Sequence, residues 1–381
     1  MSTGKSLRLA TYLFPLKDPR VRQRCDHRLL DIVIIAICGV ICGCDDWPQI
    51  EIFAHKRRPW LQTFLPLPNG VPSHDTFERL FDRLDPVAFQ KCFVRWIQTL
   101  SQCLGISHIA IDGKALRGSA DKSSGLRCLH LVSAWATEAH LSLGQIAVAE
   151  KSNEITAIPQ LLELLDLHGA FVTIDAMGCQ KQIARTIIDG GGNYLLTAKD
   201  NQPHLLDDIR QCLAIALEAK QGNYDLEMYT TQESGHGRQE RRSYTILRDP
   251  KGIRHLEDWA GLCVVGMCTS ERTIAGKTSN EVRYFIGSGR TSAKHYAKVL
   301  RNHWRIENTL HWQLDVEFGE DANRVQSRKG AENLALLRRM TLSMLKQHPG
   351  KESIACKRLA AALDPSFLEE ILRCDYNSGE V

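Results

Sequence analysis

The stretch AFVTIDAMGCQKQIARTIIDGGGNYLLTA, residues 170–198, decides the fold. AFVTID is an apolar run that ends in Asp175, which is typical of a short strand. In the following CQKQIARTIID the apolar residues recur at helical spacing, and the three glycines after it predict where that helix ends. NYLLTA is a further apolar strand. The stretch therefore predicts a strand–helix–strand unit.

Three more strands are predicted upstream. SHIAID (107–112), CLHLVSAWA (128–136) and SLGQIAVAE (142–150) are apolar runs with turn residues between them, and a helix follows them. Three strands in hairpin succession, followed by helix-linked strands, is the order of the ribonuclease-H-like fold. The sequence therefore predicts an α/β protein whose core is a mixed five-stranded sheet with flanking helices. The first and fourth strands are neighbours in that fold, so we expect Asp112 and Asp175 to meet.

A third acidic residue is predicted on a late helix, HWRIENTLHWQLDVEFGED (303–321). At helical pitch, His303, Glu307 and His311 share one face, because residues four apart stack. That side can be anchored by Leu300, Leu310 and Leu314. A carboxylate among apolar anchors loses hydration and needs a partner. Three such carboxylates suit a pair of Mg²⁺ ions that break and join phosphodiesters.

Five segments carry a family resemblance: IDGKALRGS (111–119), TIDAMGCQ (173–180), YLLTAKDNQ (194–202), HGRQERR (236–242) and the 303–321 helix. In this order and spacing they resemble the DDE transposases of bacterial insertion sequences, specifically the H-repeat-associated (ISAs-type) family. The resemblance implies that Asp112, Asp175 and Glu307 are the catalytic and metal-binding residues. It also implies two Mg²⁺ ions, for which Mn²⁺ can substitute, and double-stranded DNA as transposon ends and target.

The sequence departs from wider transposase patterns around the glutamate. Some relatives carry tyrosine, arginine and lysine at the spacings that here hold Leu300, His303 and Leu314, so their phosphate handling is not carried over. Candidates for contact with DNA are Lys114, Arg117, Lys199, Arg238, Arg241, Arg242, His303, Arg305 and His311. For the lysines and arginines the alternative is solvated surface charge, and for the two histidines it is structural hydrogen bonding.

Each acidic residue also has a simpler interpretation. Asp112 in Asp-Gly is a frequent hairpin signal, and Asp175 is a possible cap of the next helix. Acids that could replace Glu307 in principle are Asp315, Glu317, Glu320 and Asp321. The two histidines around Glu307 lack the HExxH spacing of a zinc hydrolase. Trp304 and Trp312 are interpreted as packing residues, with stacking on an unpaired base as the alternative.

The regions flanking the core are also predicted. Several short helices with basic faces at the N-terminal end suit DNA binding, and the alternative is a helical subdomain with solvated charges. Ser73 is expected to cap one of these helices. The predicted regions are a helical domain (1–105), the first part of the catalytic core (106–222), a β-rich insertion (223–290), the last part of the core with the Glu307 helix (291–348) and a helical tail (349–381).

Bulk composition limits the protein class. The 381 residues carry a net charge of +4, which neither requires nor excludes DNA. The odd number of cysteines, 13, lies in apolar runs and predicts a reduced set in a cytosolic protein. The apolar run 29–44 is shorter than the roughly 20 residues that span a membrane. We therefore expect a cytoplasmic, nucleoid-associated protein with no membrane partner.

Two rival functions stay open from the sequence. One is a domesticated DNA-binding protein without transposition activity, which the intact carboxylates oppose. The other is a ribonuclease-H-like nuclease, for which the helical N-terminal region and the β insertion are more than is needed. If the protein is a transposase, it must hold two DNA ends, so a homodimer is expected in the synaptic complex.

Overall fold

A mixed sheet of nine strands runs through the computed structural model, which describes residues 8–21, 23, 25–120, 127–149, 152–219, 224–235 and 237–373, without the side chains of 102 and 103. The strands are β1 (His108–Leu116), β2 (Leu129–Ala136), β3 (Leu141–Ala147), β4 (Phe171–Ile174), β5 (Asn193–Ala198), β6 (Asp225–Gly235), β7 (Arg238–Arg248), β8 (Val264–Ile274) and β9 (Lys277–Gly287). Their order across the sheet is β3-β2-β1-β4-β5-β9-β8-β7-β6.

Helices cover the sheet and extend from it. In chain order they are α1 (Arg8–Leu13), α2 (Leu29–Ile41), α3 (Trp47–Lys56), α4 (Arg58–Leu61), α5 (His74–Arg83), α6 (Pro86–Leu104), α7 (Glu154–Leu162), α8 (Lys181–Asp189), α9 (Pro203–Glu218), α10 (Ala293–His303), α11 (Trp312–Val316), α12 (Arg328–Gln347), α13 (Ile354–Leu363) and α14 (Pro365–Arg373). None of the described helices is long and apolar enough to cross a membrane.

The first five strands have the predicted connections. β1 is antiparallel to β2 and β2 to β3, whereas β1 is parallel to β4 and β4 to β5. The expectation that the first and fourth strands are neighbours is confirmed, with Ile111 opposite Ile174. One detail differs. β1 does not end at Asp112 but continues beside β2 to Leu116, because β2 goes on offering hydrogen bonds after β4 has ended.

The segment predicted as β-rich forms four strands that belong to the same sheet. β9 pairs antiparallel with β5, and two hairpins of 11-residue strands then extend the sheet outward. The sequence predicts these strands from the turn residues between them. It does not predict that they pair with the sheet of the core. Pairing between β5 and β9 joins residues that lie about 90 positions apart, and local sequence patterns carry no signal for such a contact.

The N-terminal helices pack against the long helix α12. Helix α2 is apolar on all sides and almost wholly buried, which explains its membrane-like composition. Ser73 does occupy the N-cap of α5, as predicted, but its hydroxyl lies 3.2 Å from that of Thr76 and caps no backbone amide. At the other end of α5, the buried Asn333 of α12 donates from Nδ2 to the carbonyls of Phe81 (2.8 Å) and Leu84 (3.0 Å).

Replacing Asn333 by leucine is expected to lower the free energy of unfolding by about 1–3 kcal/mol. The substitution leaves two carbonyl groups at the end of α5 without their donor in a buried setting. Urea unfolding followed by circular dichroism measures the change. Asn280→Leu on the exposed part of β9 is the control and should change stability by under about 0.5 kcal/mol. Equal stability of the two variants would contradict the capping role.

Candidate active site

Asp112 and Asp175 lie at the point where β1 and β4 part. Asp112 directly follows Ile111 and Asp175 directly follows Ile174, and these two isoleucines are paired across the parallel strands. The register therefore places both aspartates at the same end of the β1–β4 pair. Asp112 Oδ1 accepts from the Gly113 amide at 2.9 Å. Because β1 continues through Gly113, Asp112 is not part of a hairpin turn, and that simpler interpretation is wrong. Both side chains are half-buried.

Asp175 does have the capping role offered as an alternative. Its Oδ1 accepts from the Met177 amide at 3.1 Å, at the start of the short 3₁₀ turn Ala176–Gly178. This turn, rather than the helix after it, is what the side chain caps. A carboxylate has two oxygens and accepts several bonds, so capping through one oxygen does not use up the group.

The electrostatics of the two aspartates are coupled. Burial raises the pKa of Asp112 to about 7, against the hydrogen bond from Gly113, which lowers it. The negative charges of Asp175, Glu154 and Glu307 raise it further. Burial also raises the pKa of Asp175. The negative charge of Glu154 raises it further, whereas the positive charge of Lys199 lowers it. The site thus concentrates negative charge in a place with little water to screen it.

Glu307 lies on a distorted part of its helix. The predicted regular helix is wrong here, because α10 ends at His303, a π-helical turn spans Glu307–His311, and α11 then begins. A π turn hydrogen-bonds residues five apart instead of four, so the helix after it is rotated relative to an unbroken α-helix. The predicted anchors Leu300, Leu310 and Leu314 are buried as expected. Glu307 itself is exposed instead of lying among them.

A cavity of about 450 Å³ opens beside Glu307. Its lining includes Arg242, Arg283 and Arg301, which come from β7, β9 and α10. The guanidinium carbon of Arg283 lies 4.4 Å from the centre of the Trp304 ring, a cation–π contact. Trp304 therefore packs against arginine at the cavity wall and not in the core.

His311 is the residue of the π turn closest to the aspartates. Its Nδ1 lies 3.5 Å from Asp112 Oδ2. Burial lowers the pKa of His311 to about 3, and the charges of Arg339 and Lys114 act in the same direction. The ring is therefore neutral at pH 7 and meets Asp112 as a polar group and not as a cation. Its position beside Asp112 leaves it mostly covered.

Within the described part of the chain, no group of three or more His, Cys, Asp or Glu side chains is close enough to hold a metal ion. The donor chemistry nevertheless fits a hard divalent cation. Asp112 and Asp175 present carboxylate oxygens, which Mg²⁺ and Mn²⁺ prefer, in a half-buried place where burial and neighbouring acids raise the pKa of both groups.

Comparison with known proteins decides the family. The profile described as "Transposase DDE domain" matches residues 104–344, more than half of the chain, and one described as "DDE_Tnp_1-associated" matches residues 10–97. The chain belongs to the DDE transposase family. The resemblance drawn from the sequence motifs is thereby confirmed, including its H-repeat-associated branch.

Relatives of this transposase extend over nearly its whole length. "Putative transposase YncI" of Escherichia coli O157:H7 is 38% identical over 96% of this chain and 94% of its own length. "H repeat-associated putative transposase YhhI" of Escherichia coli K12 is 35% identical over 96% and 97%. A piggyBac transposase synaptic complex with hairpin DNA, solved by cryo-EM, covers 98% of this chain and 78% of its own at a TM-score of 0.38 and 10% identity. We draw nothing from that distant likeness.

Lys114 of the transposase is buried, so the predicted contact with DNA does not fit its place. Its Nζ donates to Asp315 and to Glu320, the latter at 2.7 Å. On the other side of Glu320, Oε1 accepts from Arg339 Nη1 at 2.7 Å. Asp112 and Lys114 face the same side of β1, since residues two apart on a strand do. The lysine thus anchors the strand that carries Asp112.

This network also accounts for three of the four acids that could have replaced Glu307; Glu317 lies outside it. Although burial raises the pKa of Glu320, the charges of Arg339 and Lys114 hold it at about 2. Asp315 pairs with the same lysine nitrogen and Asp321 lies 3.9 Å from it, so all three serve as counter-ions of Lys114. A charge that already has a buried partner is a poor metal ligand.

Two other predicted contacts with DNA lie inside the protein. His303 is buried, its Nδ1 pairs with the Thr173 hydroxyl at 3.0 Å, and burial lowers its pKa to about 4. The structure therefore favours the alternative of structural hydrogen bonding. Arg242 is buried beside Glu240 and forms an ion pair with it. His236, the first residue of that motif, lies outside the described residues.

The remaining basic candidates are accessible. Arg117 keeps 83% of its side-chain surface although Asp321 lies 3.7 Å away. Arg238 is partly exposed and 3.8 Å from Glu240. Side chains that the structure places at the surface are those of Lys199, Arg241 and Arg305. Trp312 is exposed as well, so its predicted packing role is wrong.

Glu154 is a site residue that the sequence analysis missed. It begins α7, and its Oε1 is hydrogen-bonded to His130 Nε2 on β2. A Cβ at position 113 would lie 2.0 Å from that oxygen, so glycine after Asp112 is what allows the pair to approach β1. The available signal was an acid at the start of the helix that follows the third strand, a position that also favours negative charge for the helix dipole alone.

Asp112→Asn is expected to stabilise the metal-free transposase at pH 8, by about 1–3 kcal/mol. The folded-state pKa of about 7 exceeds the ordinary value of 3.8, so ionisation of Asp112 opposes folding. The opposition is absent below pH 4 and complete above pH 7. Urea unfolding in EDTA at pH 5 and pH 8 measures it, with the exposed Asp189→Asn as control. No gain at pH 8 would contradict the coupling of the carboxylates.

Glu320→Gln is expected to destabilise the protein by about 3–5 kcal/mol at pH 7, because buried Arg339 loses its counter-charge and Lys114 keeps only the partly exposed Asp315 and Asp321. The folded pKa of about 2 lies below the ordinary 4.5. Wild-type stability from Glu320 is therefore full above pH 4.5 and falls as the pH drops toward 2, and the variant should lack this dependence. Thermal unfolding across this range measures it. Glu317→Gln, a neighbour outside the network, should behave as wild type.

Proposed function

We propose that this transposase binds the terminal inverted repeats of its own insertion sequence. It then catalyses Mg²⁺-dependent strand cleavage and joins the freed 3′-hydroxyls to target DNA. The observation that carries the proposal is the register of β1 and β4, which brings Asp112 beside Asp175 in a half-buried site. The charge of Glu307 reaches the same site, as the raised pKa of Asp112 records.

The proposal includes a ribonuclease-H-like catalytic core. The order β3-β2-β1-β4-β5, with the first three strands antiparallel and the last three parallel, supports it. In this division residues 106–222 and 291–348 form the core and 223–290 are an insertion between its parts. Residues 1–105 form the helical domain that contacts DNA, and residues 349–381 form the tail.

Asp112, Asp175 and Glu307 would hold two Mg²⁺ ions, or Mn²⁺ in their place. When bound, the ions would activate water or a DNA 3′-hydroxyl and stabilise charge on the leaving oxygen. Asp112 and Asp175 supply carboxylates where β1 and β4 part. Glu307, exposed on its π turn, lines the cavity that also holds Arg242, Arg283 and Arg301, and we expect a phosphate backbone to approach it there.

DNA is the proposed partner, and surface charge supports this assignment. Accessible basic residues proposed to contact its backbone are Arg117, Lys199, Arg238, Arg241 and Arg305. Such contacts release counterions, so affinity for the ends should fall steeply with salt. Two copies of the chain would act together because two ends must be held, and the reaction would take place in the cytoplasm at the nucleoid.

The deciding test is cleavage of DNA that carries the sequences flanking the gene. Full-length protein with Mg²⁺ or Mn²⁺ should cut at the repeat ends. Asp112→Asn, Asp175→Asn and Glu307→Gln should each lower the cutting rate by at least about 100-fold while leaving affinity for the ends within about threefold. Asp189→Asn, the same substitution on an exposed aspartate, is the control and should cut at the wild-type rate.

The rival functions are separate outcomes of this experiment. Binding to the ends without cutting in either metal would indicate a domesticated DNA-binding protein. Cutting that ignores the end sequence would indicate a ribonuclease-H-like nuclease. Cutting by Asp112→Asn at the wild-type rate would remove Asp112 from the mechanism and overturn the proposed site.

A further inference from the structure

One buried hydroxyl joins three elements of the core. Thr173 Oγ1 lies 2.9 Å from His108 Nε2 and 3.0 Å from His303 Nδ1. All three side chains are buried, with 1%, 3% and 4% of their surface exposed for Thr173, His108 and His303. The residues are far apart in the chain, so the hydroxyl links segments that no local contact would hold together.

The three linked elements carry or lead directly to the three proposed catalytic acids. His108 lies on β1 four residues before Asp112, and Thr173 lies on β4 two residues before Asp175, which follows the strand. His303 is the last residue of α10, four residues before Glu307 on the π turn. The Thr173 hydroxyl on β4 is therefore hydrogen-bonded both to the strand of Asp112 and to the helix that leads to Glu307.

The linkage is neutral and its hydrogen bonds are complementary. Burial lowers the pKa of His108 to about 3 and that of His303 to about 4, so each ring has one N–H and one acceptor nitrogen. A hydroxyl can donate to one such ring and accept from the other. The second nitrogen of His108, Nδ1, pairs at 2.9 Å with the hydroxyl of Thr137, the residue directly after β2.

Apolar packing alone would not fix α10 in rotation. The helix rests on the sheet through Tyr296, Leu300 and neighbouring apolar residues, and such contacts are non-directional. Directly after His303 the chain enters the distorted segment that leads to the π turn, which does not hold a regular register. The His303–Thr173 bond adds a directional contact at the last residue before this segment, beside those that Tyr296 and Arg301 make earlier in α10.

We propose that Thr173, with His108 and His303, forms a positioning site that fixes the Glu307 segment relative to Asp112 and Asp175. This inference rests on the proposed function, since it concerns the placement of the three acids. None of the three residues contacts DNA or a reacting atom. They act through the acids, whose placement to within about 1 Å decides the rate.

The test compares Thr173→Val, which keeps the shape and loses the hydroxyl, with Thr173→Ser, which keeps the hydroxyl. In the cleavage assay Thr173→Val should lower kcat about 10- to 100-fold, with KM for the DNA ends within about twofold of wild type. Thr173→Ser should restore kcat to within about threefold. The control is Thr341→Val, which removes another buried hydroxyl, bonded to the Leu337 carbonyl in α12.

A second pair of variants keeps the test decisive if Thr173→Val does not unfold cooperatively. His303→Asn places an amide nitrogen close to the position of Nδ1, whereas His303→Leu offers no polar atom. The asparagine variant should retain most of kcat and the leucine variant should lose it. In a double variant, His303→Leu should add less than about threefold to the loss from Thr173→Val, because both remove one linkage.

Two results would overturn the positioning site: wild-type kcat in folded Thr173→Val, or equal loss in the serine and valine variants. Asp112→Asn is assayed alongside to separate this inference from the proposed function. If Asp112→Asn cuts normally, the proposed function fails. If Asp112→Asn is inactive while Thr173→Val cuts as wild type, the function stands and only the positioning site fails.

Discussion

The parallel pairing of β1 with β4 is the constraint on which the rest of the molecule depends. It places Asp112 and Asp175 at one edge of the sheet, where burial and like charge raise the pKa of both carboxyl groups. Two adjacent carboxylates oppose folding unless the surrounding structure stabilises their strands. The sheet does so by burying β1, β4 and β5 between helices, so that the apolar residues before each aspartate hold the acids where their charges repel.

Two polar networks of different kinds then hold the strands of the site. On one side of β1, Lys114 is bound to Glu320, which also pairs with Arg339 of α12, and this network is ionic and fully buried. At the other end of the strand, His108 reaches Thr173 through neutral groups. The charges of the ionic network are compensated within it, because Lys114 and Arg339 both pair with Glu320 and Lys114 also pairs with Asp315. The neutral network of His108 and Thr173 lies farther from the aspartates. It holds β1 and β4 in position without adding charge to the site.

The sequence predicts the central architecture because its signals are local. Apolar runs that end in Asp175 or Asp112 identify strands, and their order restricts the pairing to a known arrangement. Three features lacked such a signal. The π turn at Glu307 arises from how α10 and α11 both pack on the core, and an ideal helical pitch therefore misplaces that residue. Burial of Lys114 depends on acids about 200 positions away. The approach of Glu154 depends on the absence of a side chain at Gly113.

Because the β-rich segment joins the sheet of the core, the surroundings of Glu307 differ from those of the two aspartates. Because β9 pairs with β5, residues of the added strands reach the helix that leads to Glu307, and Arg283 packs on Trp304 there. Glu307 therefore faces a cavity with several arginines, whereas Asp112 and Asp175 face one another and Glu154. Burial and neighbouring acids raise the pKa of the two aspartates, which favours a bound cation at that place. The arginines beside Glu307 already have counter-charges, because Arg242 and Arg301 pair with Glu233 and Arg283 pairs with Glu281. A phosphate that entered the cavity would therefore compete with these glutamates for the arginines.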